Sequence, residues 1–306
     1  MHARNNGMAL AGLRVLLAVG LIGLSAGQAP RHGQAETLLE RGSYFVRHVA
    51  ACGNCHTVKG PQGDVPGMEL AGGMQLAEEA FSVTTPNITP DQETGIGGWS
   101  DAQIITAIRE GRRPDGSVLG PPMPFMVYRG LSDRDVQAVV AYLRSVKAVK
   151  NRVPRNTYPF PLPPAWGPPV ASVPDVPREE RVRYGAYLAG PVAHCTVCHT
   201  PAKGPVFKFD THLGAGGFPL KGPWGTVFSA NITPDPRFGI GQWKDAEIRR
   251  AIKEGVSKTH GALVPIMPYP YYTGMTDSDV QAITAWLRSL KPVAQERKVR
   301  LTPPKG

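Results

Sequence analysis

The sequence predicts a mainly α chain built as two tandem units joined by a proline-rich linker, and three observations carry that prediction. A length of 306 residues suits two units, each large enough to enclose a modest core. Strings in the first half return in the second. Cys52-Gly53-Asn54-Cys55-His56 recurs as Cys195-Thr196-Val197-Cys198-His199, and Asn87-Ile88-Thr89-Pro90-Asp91 as Asn231-Ile232-Thr233-Pro234-Asp235. One inserted residue separates these two repeats, and Met123-Pro124-Phe125 then keeps register with Met267-Pro268-Tyr269. The clearest apolar patterns have helical spacing, while 31 Pro and 35 Gly indicate a loop-rich chain without long regular sheets.

The elements follow in chain order. Arg4 and Arg14 precede an apolar run from Val15 to Leu24, and the small residues Ser25, Ala26, Gly27 and Ala29 come next. This is the pattern of a secretory signal peptide over residues 1–29. The run is short of the roughly 20 apolar residues that a membrane span needs, and an uncleaved N-terminal anchor is the rival reading. Either way the body of the protein is expected in the periplasm, soluble or peripheral to the inner membrane.

The first unit, 36–150, opens with a helix from Glu36 to Ala51 leading into the first cysteine string. Ser100 with Gln103 forms a capping box for a helix to Glu110 that Gly111 ends. Ser132 caps a further helix whose Val136, Val139, Val140, Leu143 and Val146 share one face. Residues 151–177 hold Pro154, Pro159, Pro161, Pro163, Pro164, Pro168, Pro169, Pro174 and Pro177. Such a stretch favours extended polyproline conformation and reads as a semi-rigid strap over both units. The second unit, 178–300, repeats the plan, with a helix from Arg178 to Leu188 and a twin of the last helix carrying Val280, Ile283 and Leu287.

All four cysteines fall in the two Cys-x-x-Cys-His strings, the haem c attachment signature. Two thiols three positions apart sit on one turn, where both reach the vinyl groups of one haem, and the next residue places an imidazole under the iron. Two haem c groups are therefore expected, one on Cys52, Cys55 and His56 and one on Cys195, Cys198 and His199. Half a zinc site or a redox disulfide would use the cysteines but leave the repeated histidine unexplained.

The sixth iron position decides between carrier and catalyst. Met123 and Met267 repeat in register and suit it as thioether ligands, which gives His56 with Met123 and His199 with Met267 as the metal-binding pairs. Met126 competes locally, but its counterpart is Pro270; Met275 matches Leu131 and reads as core. His48, His194, His212 and His260 read as surface or satisfied polar residues. Asn87 and Asn231 suit either a haem propionate or the loop backbone, and Trp99 and Trp243 either the haem edge or the core.

With these residues the chain resembles the class I cytochrome c fold, so the expected architecture is two tandem class I cytochrome c domains. In that fold the terminal helices cross, and Gly42-Ser43-Tyr44 and Gly185-Ala186-Tyr187 resemble the crossing point, with Tyr142 and Trp286 facing them. The Asn-Ile-Thr-Pro-Asp string, Gly95 to Trp99, Gly239 to Trp243 and the Met-Pro-aromatic string more closely resemble cytochrome c subunits of bacterial membrane-associated dehydrogenases. Many of those carry three haems, where this chain has two motifs.

The resemblance implies a non-catalytic electron-transfer subunit. It would take electrons from a catalytic dehydrogenase subunit and deliver them to a downstream acceptor in the respiratory chain. A dihaem peroxidase is the competing reading, opposed by the paired methionines, and a dihaem thiosulfate dehydrogenase is another, opposed by the lack of a spare cysteine. The net charge of +10 would steer the protein to an acidic partner or an anionic lipid surface as a peripheral membrane contact. No nucleic-acid partner is expected for an exported haem protein.

Overall fold

Thr37 opens the first helix: its hydroxyl accepts from the Glu40 amide while the Glu40 carboxylate reaches back to the Thr37 amide, satisfying two donors that a helix start leaves bare. The computed structural model describes residues 36–296 apart from Glu79, Pro205, Pro223 and Trp224. The expected signal segment at 1–29 lies outside the described residues. Helix α1 spans Leu38–Tyr44 and runs on as a π turn, Phe45–Val49. After the short α2, Gly53–His56, come α3, Asp101–Glu110, α4, Phe125–Tyr128, and α5, Asp133–Ser145.

The same series then recurs. Helix α6, Arg181–Tyr187, continues as a π turn, Leu188–Val192, into α7, Cys195–Cys198. A single-turn α8, Phe209–His212, precedes α9, Asp245–Glu254, α10, Tyr269–Tyr272, and α11, Asp277–Ser289. Strands among the described residues form only two-stranded antiparallel ladders, the longest pairing Pro219–Gly222 with Gly225–Phe228. No helix among the described residues is long and apolar enough to cross a membrane.

The predicted caps hold. Ser100 and Gln103 form the expected box, and Gly111 ends α3 in the left-handed region at φ 63°, where a side chain would be strained. The second N-terminal helix differs from its expected span: it begins at Arg181 and passes Leu188 to Val192 with Pro191 inside. Gly190-Pro191 reads as a breaker. A π turn absorbs it because Ala193 bonds Leu188 five residues back, at 2.7 Å, and asks nothing of the missing proline N–H.

Helix α1 crosses α5, and α6 crosses α11. A Cβ on Gly42 would stand 1.8 Å from the Ala138 carbonyl oxygen, and one on Gly185 1.9 Å from that of Ala282. Only a bare backbone lets the helices approach so closely. Tyr142 and Trp286 lie buried at these crossings, as the sequence reading placed them.

One apolar cluster joins both halves, with Phe45, Val49 and Val136 beside Leu188, Val192 and Val280. Polar bonds tie them reciprocally: the Tyr44 hydroxyl donates to Asp279 at 2.7 Å, and the Tyr187 hydroxyl to Asp135 at 2.6 Å. Between these, the Arg41 guanidinium donates to both oxygens of Asp135 at 2.9 and 3.1 Å and to the Tyr184 hydroxyl at 3.2 Å.

The proline-rich strap is extended and helix-free from Asn151 to Pro177. Asn156 exchanges two 2.8 Å bonds with the Thr84 backbone, Val170 N–H donates to Glu110 at 2.8 Å, and Ser172 donates to Asp133 at 2.6 Å. These partners all belong to the first half.

Candidate haem-attachment sites

Each π turn ends in a left-handed residue, Ala51 at φ 50° and His194 at φ 46°. Outside glycine that conformation costs about 1–2 kcal/mol, and at both places it swings the chain into the helical turn bearing the cysteines. In those turns His56 N–H bonds the Cys52 carbonyl and His199 N–H the Cys195 carbonyl, each at 2.9 Å. Cys52 and Cys55 thereby share one turn, as do Cys195 and Cys198, and all four are unbridged. Burial pushes the Cys52 and Cys195 thiols up to about 12. Such an apolar wrapping suits neutral thioethers and opposes the thiolates that a zinc site or a redox pair requires.

The histidines are oriented by backbone. His56 Nδ1 lies 2.9 Å from the Pro86 carbonyl oxygen and His199 Nδ1 2.8 Å from that of Ala230. A carbonyl only accepts, so the ring proton sits on Nδ1 and the lone pair on Nε2, the tautomer of an iron ligand. Burial also lowers the His56 pKa, which keeps the ring neutral. Gly72 and Gly216, at φ 71° and 72°, each donate 2.8 Å bonds to the His56 and His199 carbonyls. A Cβ on either would meet the Pro86 or Ala230 carbonyl carbon at 2.4–2.5 Å, so the cradle needs glycine.

Asn87 and Asn231 follow Pro86 and Ala230 directly, and they serve the loop backbone. Their amides donate to the Val149 and Val293 carbonyls at 2.8 Å, and their oxygens accept from Thr89 and Thr233 at 2.9 Å. Trp99 and Trp243 are partly buried against the core. The sequence reading missed the Pro86 and Ala230 carbonyls. It also missed Arg144 and Arg288, which bond the Trp99 and Trp243 carbonyls from the last helix of each half. The arginines repeat in register, a signal that was there to be found.

Met123 and Met267 are half-buried against the core that also receives Cys52 and Cys195. Each methionine leads into a short helix ending in a buried tyrosine, Tyr128 in α4 and Tyr272 in α10. Burial and then the nearby Cys52 and Cys55 hold the Tyr128 phenol far above its usual pKa; Cys195 and Cys198 act likewise on Tyr272. The methionine loops are thus anchored beside the cysteine turns of their own halves. Met126 is 42% exposed and Met275 is buried in the core. His48 Nδ1 lies 3.2 Å from the Tyr271 carbonyl and His260 is exposed.

Each cysteine turn also meets a tyrosine of the other half. Burial and then the charge of Cys55 push the Cys198 thiol up to about 11. The Tyr271 ring closes on Gly53, within 3.1 Å of a Cβ there, and Tyr128 meets His194 edge-on at 5.9 Å.

Residues 40–147 match the cytochrome c family model. This stretch is a cytochrome c domain. The chain is 34% identical to a nicotinate dehydrogenase subunit of Pseudomonas putida, over 87% of its own length and 22% of that protein's. It is 30% identical to the cytochrome c subunit of the quinone alcohol dehydrogenase of Gluconobacter oxydans, over 94% of its length and 62% of the relative's. A diheme cytochrome c-type protein of Cereibacter sphaeroides matches at 27%, over 80% of this chain and 83% of that one. The chain therefore spans about a fifth and under two thirds of the first two relatives. Within that domain, Cys52, Cys55 and His56 share one helical turn, and the covalently bound haem c of the family fits the donor set and the apolar wrapping found there.

Proposed function

We propose that this chain is a dihaem electron-transfer subunit, made of tandem cytochrome c domains at 36–150 and 178–300 joined by the 151–177 linker. Cys52 and Cys55 would hold one haem c and Cys195 and Cys198 the second. His56 with Met123 and His199 with Met267 would bind the irons. Haem c supplies one-electron chemistry when bound; the chain supplies attachment, axial donors and a dry core, and performs no bond chemistry itself.

The observation that carries this reading is the pair of like cysteine turns packed on one core, each with its histidine fixed by a backbone carbonyl. The relatives named as dehydrogenase subunits support a catalytic dehydrogenase as the electron donor, with a respiratory-chain acceptor downstream in the periplasm. The basic chain, +10 by sequence, favours an acidic face on the donor.

Intact mass after acid-acetone extraction tests the attachment: two haems should stay on the chain, and loss of either to the organic phase would contradict it. Stopped-flow reduction by the partner dehydrogenase tests the role. Reduction should be rapid and should slow as salt rises, because charges beyond about 8 Å are screened at physiological ionic strength. Rapid hydrogen peroxide turnover by the isolated protein would instead establish a peroxidase.

A further inference from the structure

The strap does more than connect. Its aromatic residues close on the loop that carries Met123. The Trp166 indole N–H donates to the Leu119 carbonyl at 2.7 Å, and its ring stacks on Phe125 at 5.9 Å and 28°. The Tyr158 hydroxyl donates to the Pro121 carbonyl at 2.8 Å. The Tyr158 ring lies so close to Gly120 that a Cβ there would stand 2.2 Å from Cζ. These contacts bracket Met123 from four residues before it to two after it.

The strap is itself held on both sides of these aromatics. Asn156 is bonded to Thr84 ahead of them, while Arg129 donates to the Pro168 carbonyl and Val170 to Glu110 beyond them. Its proline content keeps it extended before it docks, so little further ordering is required. The second methionine loop is built differently: the residue at the place of Gly120 is Val264, whose side chain would fill the space that Tyr158 takes in the first.

We propose that Tyr158 and Trp166 are positioning residues for Met123, clamping the first methionine loop so that its sulfur stays on the iron. The strap thus serves one site and leaves the other to its own loop. This rests on the reading of Met123 as an iron ligand. A tyrosine hydrogen bond of this kind contributes about 0.5–1.5 kcal/mol. Tyr158→Phe should therefore raise the population with sulfur detached roughly two- to tenfold. Trp166→Ala, which also removes the stack on Phe125, should raise it further.

The experiment uses the full haem-loaded chain in a Met267→Ala background, where the near-infrared iron–methionine band reports Met123 alone. The band is followed against urea, with covalent haem content and far-ultraviolet circular dichroism recorded on the same samples. Both strap variants should lose the band at lower urea than the background protein, before the helical signal falls. In the converse Met123→Ala background, the band from Met267 should be indifferent to Tyr158→Phe. A band whose midpoint does not move in the strap variants, with both haems retained, overturns the proposal. If Met267→Ala alone removes the whole band, the ligand reading has failed, and the proposal falls with it by a separate and recognisable result. Tyr158→Phe deletes one oxygen and keeps the ring packing, so the test survives even if Trp166→Ala does not fold.

Discussion

Arg41 and Asp135 are 4% and 6% exposed, and they satisfy each other through two bonds. Removing one member of such a pair strands a buried charge, which costs about 3–5 kcal/mol. Arg41→Met should therefore lower the urea midpoint strongly, whereas a shift of a few tenths of a molar would mean that water reaches Asp135. Asp279, the counterpart of Asp135, has no such two-bond cation among the described residues. Burial raises its pKa although the Tyr44 hydroxyl, Arg41 and Arg178 all act to lower it. The native state then binds this proton more tightly than the unfolded chain does. Its stabilising contribution is complete below the ordinary carboxylate value near about 4 and fades as pH rises through the raised value. Asp279→Asn should escape that loss, so its stability relative to the parent should climb between pH 4 and 7. Parallel stability curves for the two proteins would contradict the linkage. Met123→Ala should remove about half of the iron–methionine band if the two sites contribute alike; an unchanged band would move the assignment to Met126. That each Cys-x-x-Cys-His string forms a single turn was legible at this scale from its spacing alone. The Pro86 and Ala230 carbonyls were not, since any residue offers a carbonyl and only the folded loop aims it.

Among the elements, the crossings of α1 with α5 and of α6 with α11 depend on the absence of a side chain at Gly42 and Gly185. Overpacking in a core costs about 1–3 kcal/mol, and an opposing backbone oxygen yields less readily than a side chain. Gly42→Ala and Gly185→Ala should each lower the thermal midpoint of the haem-loaded protein by more than Ser145→Ala, a substitution at the exposed end of α5. Equal effects would show that the crossings open without strain. Gly42, Gly185, Tyr142 and Trp286 were legible through the resemblance to the class I fold, and the close approach at each glycine agrees with it. The π turns were not legible: Phe45–Val49 has ordinary helical residues, and its bond pattern is set by how the turn must deliver Cys52. The extension of the strap was legible from its prolines alone. That it grips Leu119 and Pro121 follows from where Tyr158 and Trp166 land, which composition does not encode.

For the whole molecule, one core and reciprocal bonds between the halves predict one cooperative transition. In calorimetry of the haem-loaded chain the measured enthalpy should equal the van't Hoff value; two resolved peaks would show halves that melt apart. The repeated strings made the recurrence of the helix series legible from the sequence, but not the way each half closes over the other. The bonds Tyr44 to Asp279 and Tyr187 to Asp135 relate the halves as an isologous pair, the self-complementary arrangement of a two-fold dimer. Arg41 and Tyr184 stand at matching places of the repeat, and they meet each other near that axis. Two copies of the first half, docked the same way, would bring guanidinium against guanidinium. Two copies of the second would set phenol against phenol and leave neither aspartate a guanidinium that bonds both its oxygens. Only the mixed pair joins a cation to a hydroxyl, and so one residue difference on the axis makes each half choose the other.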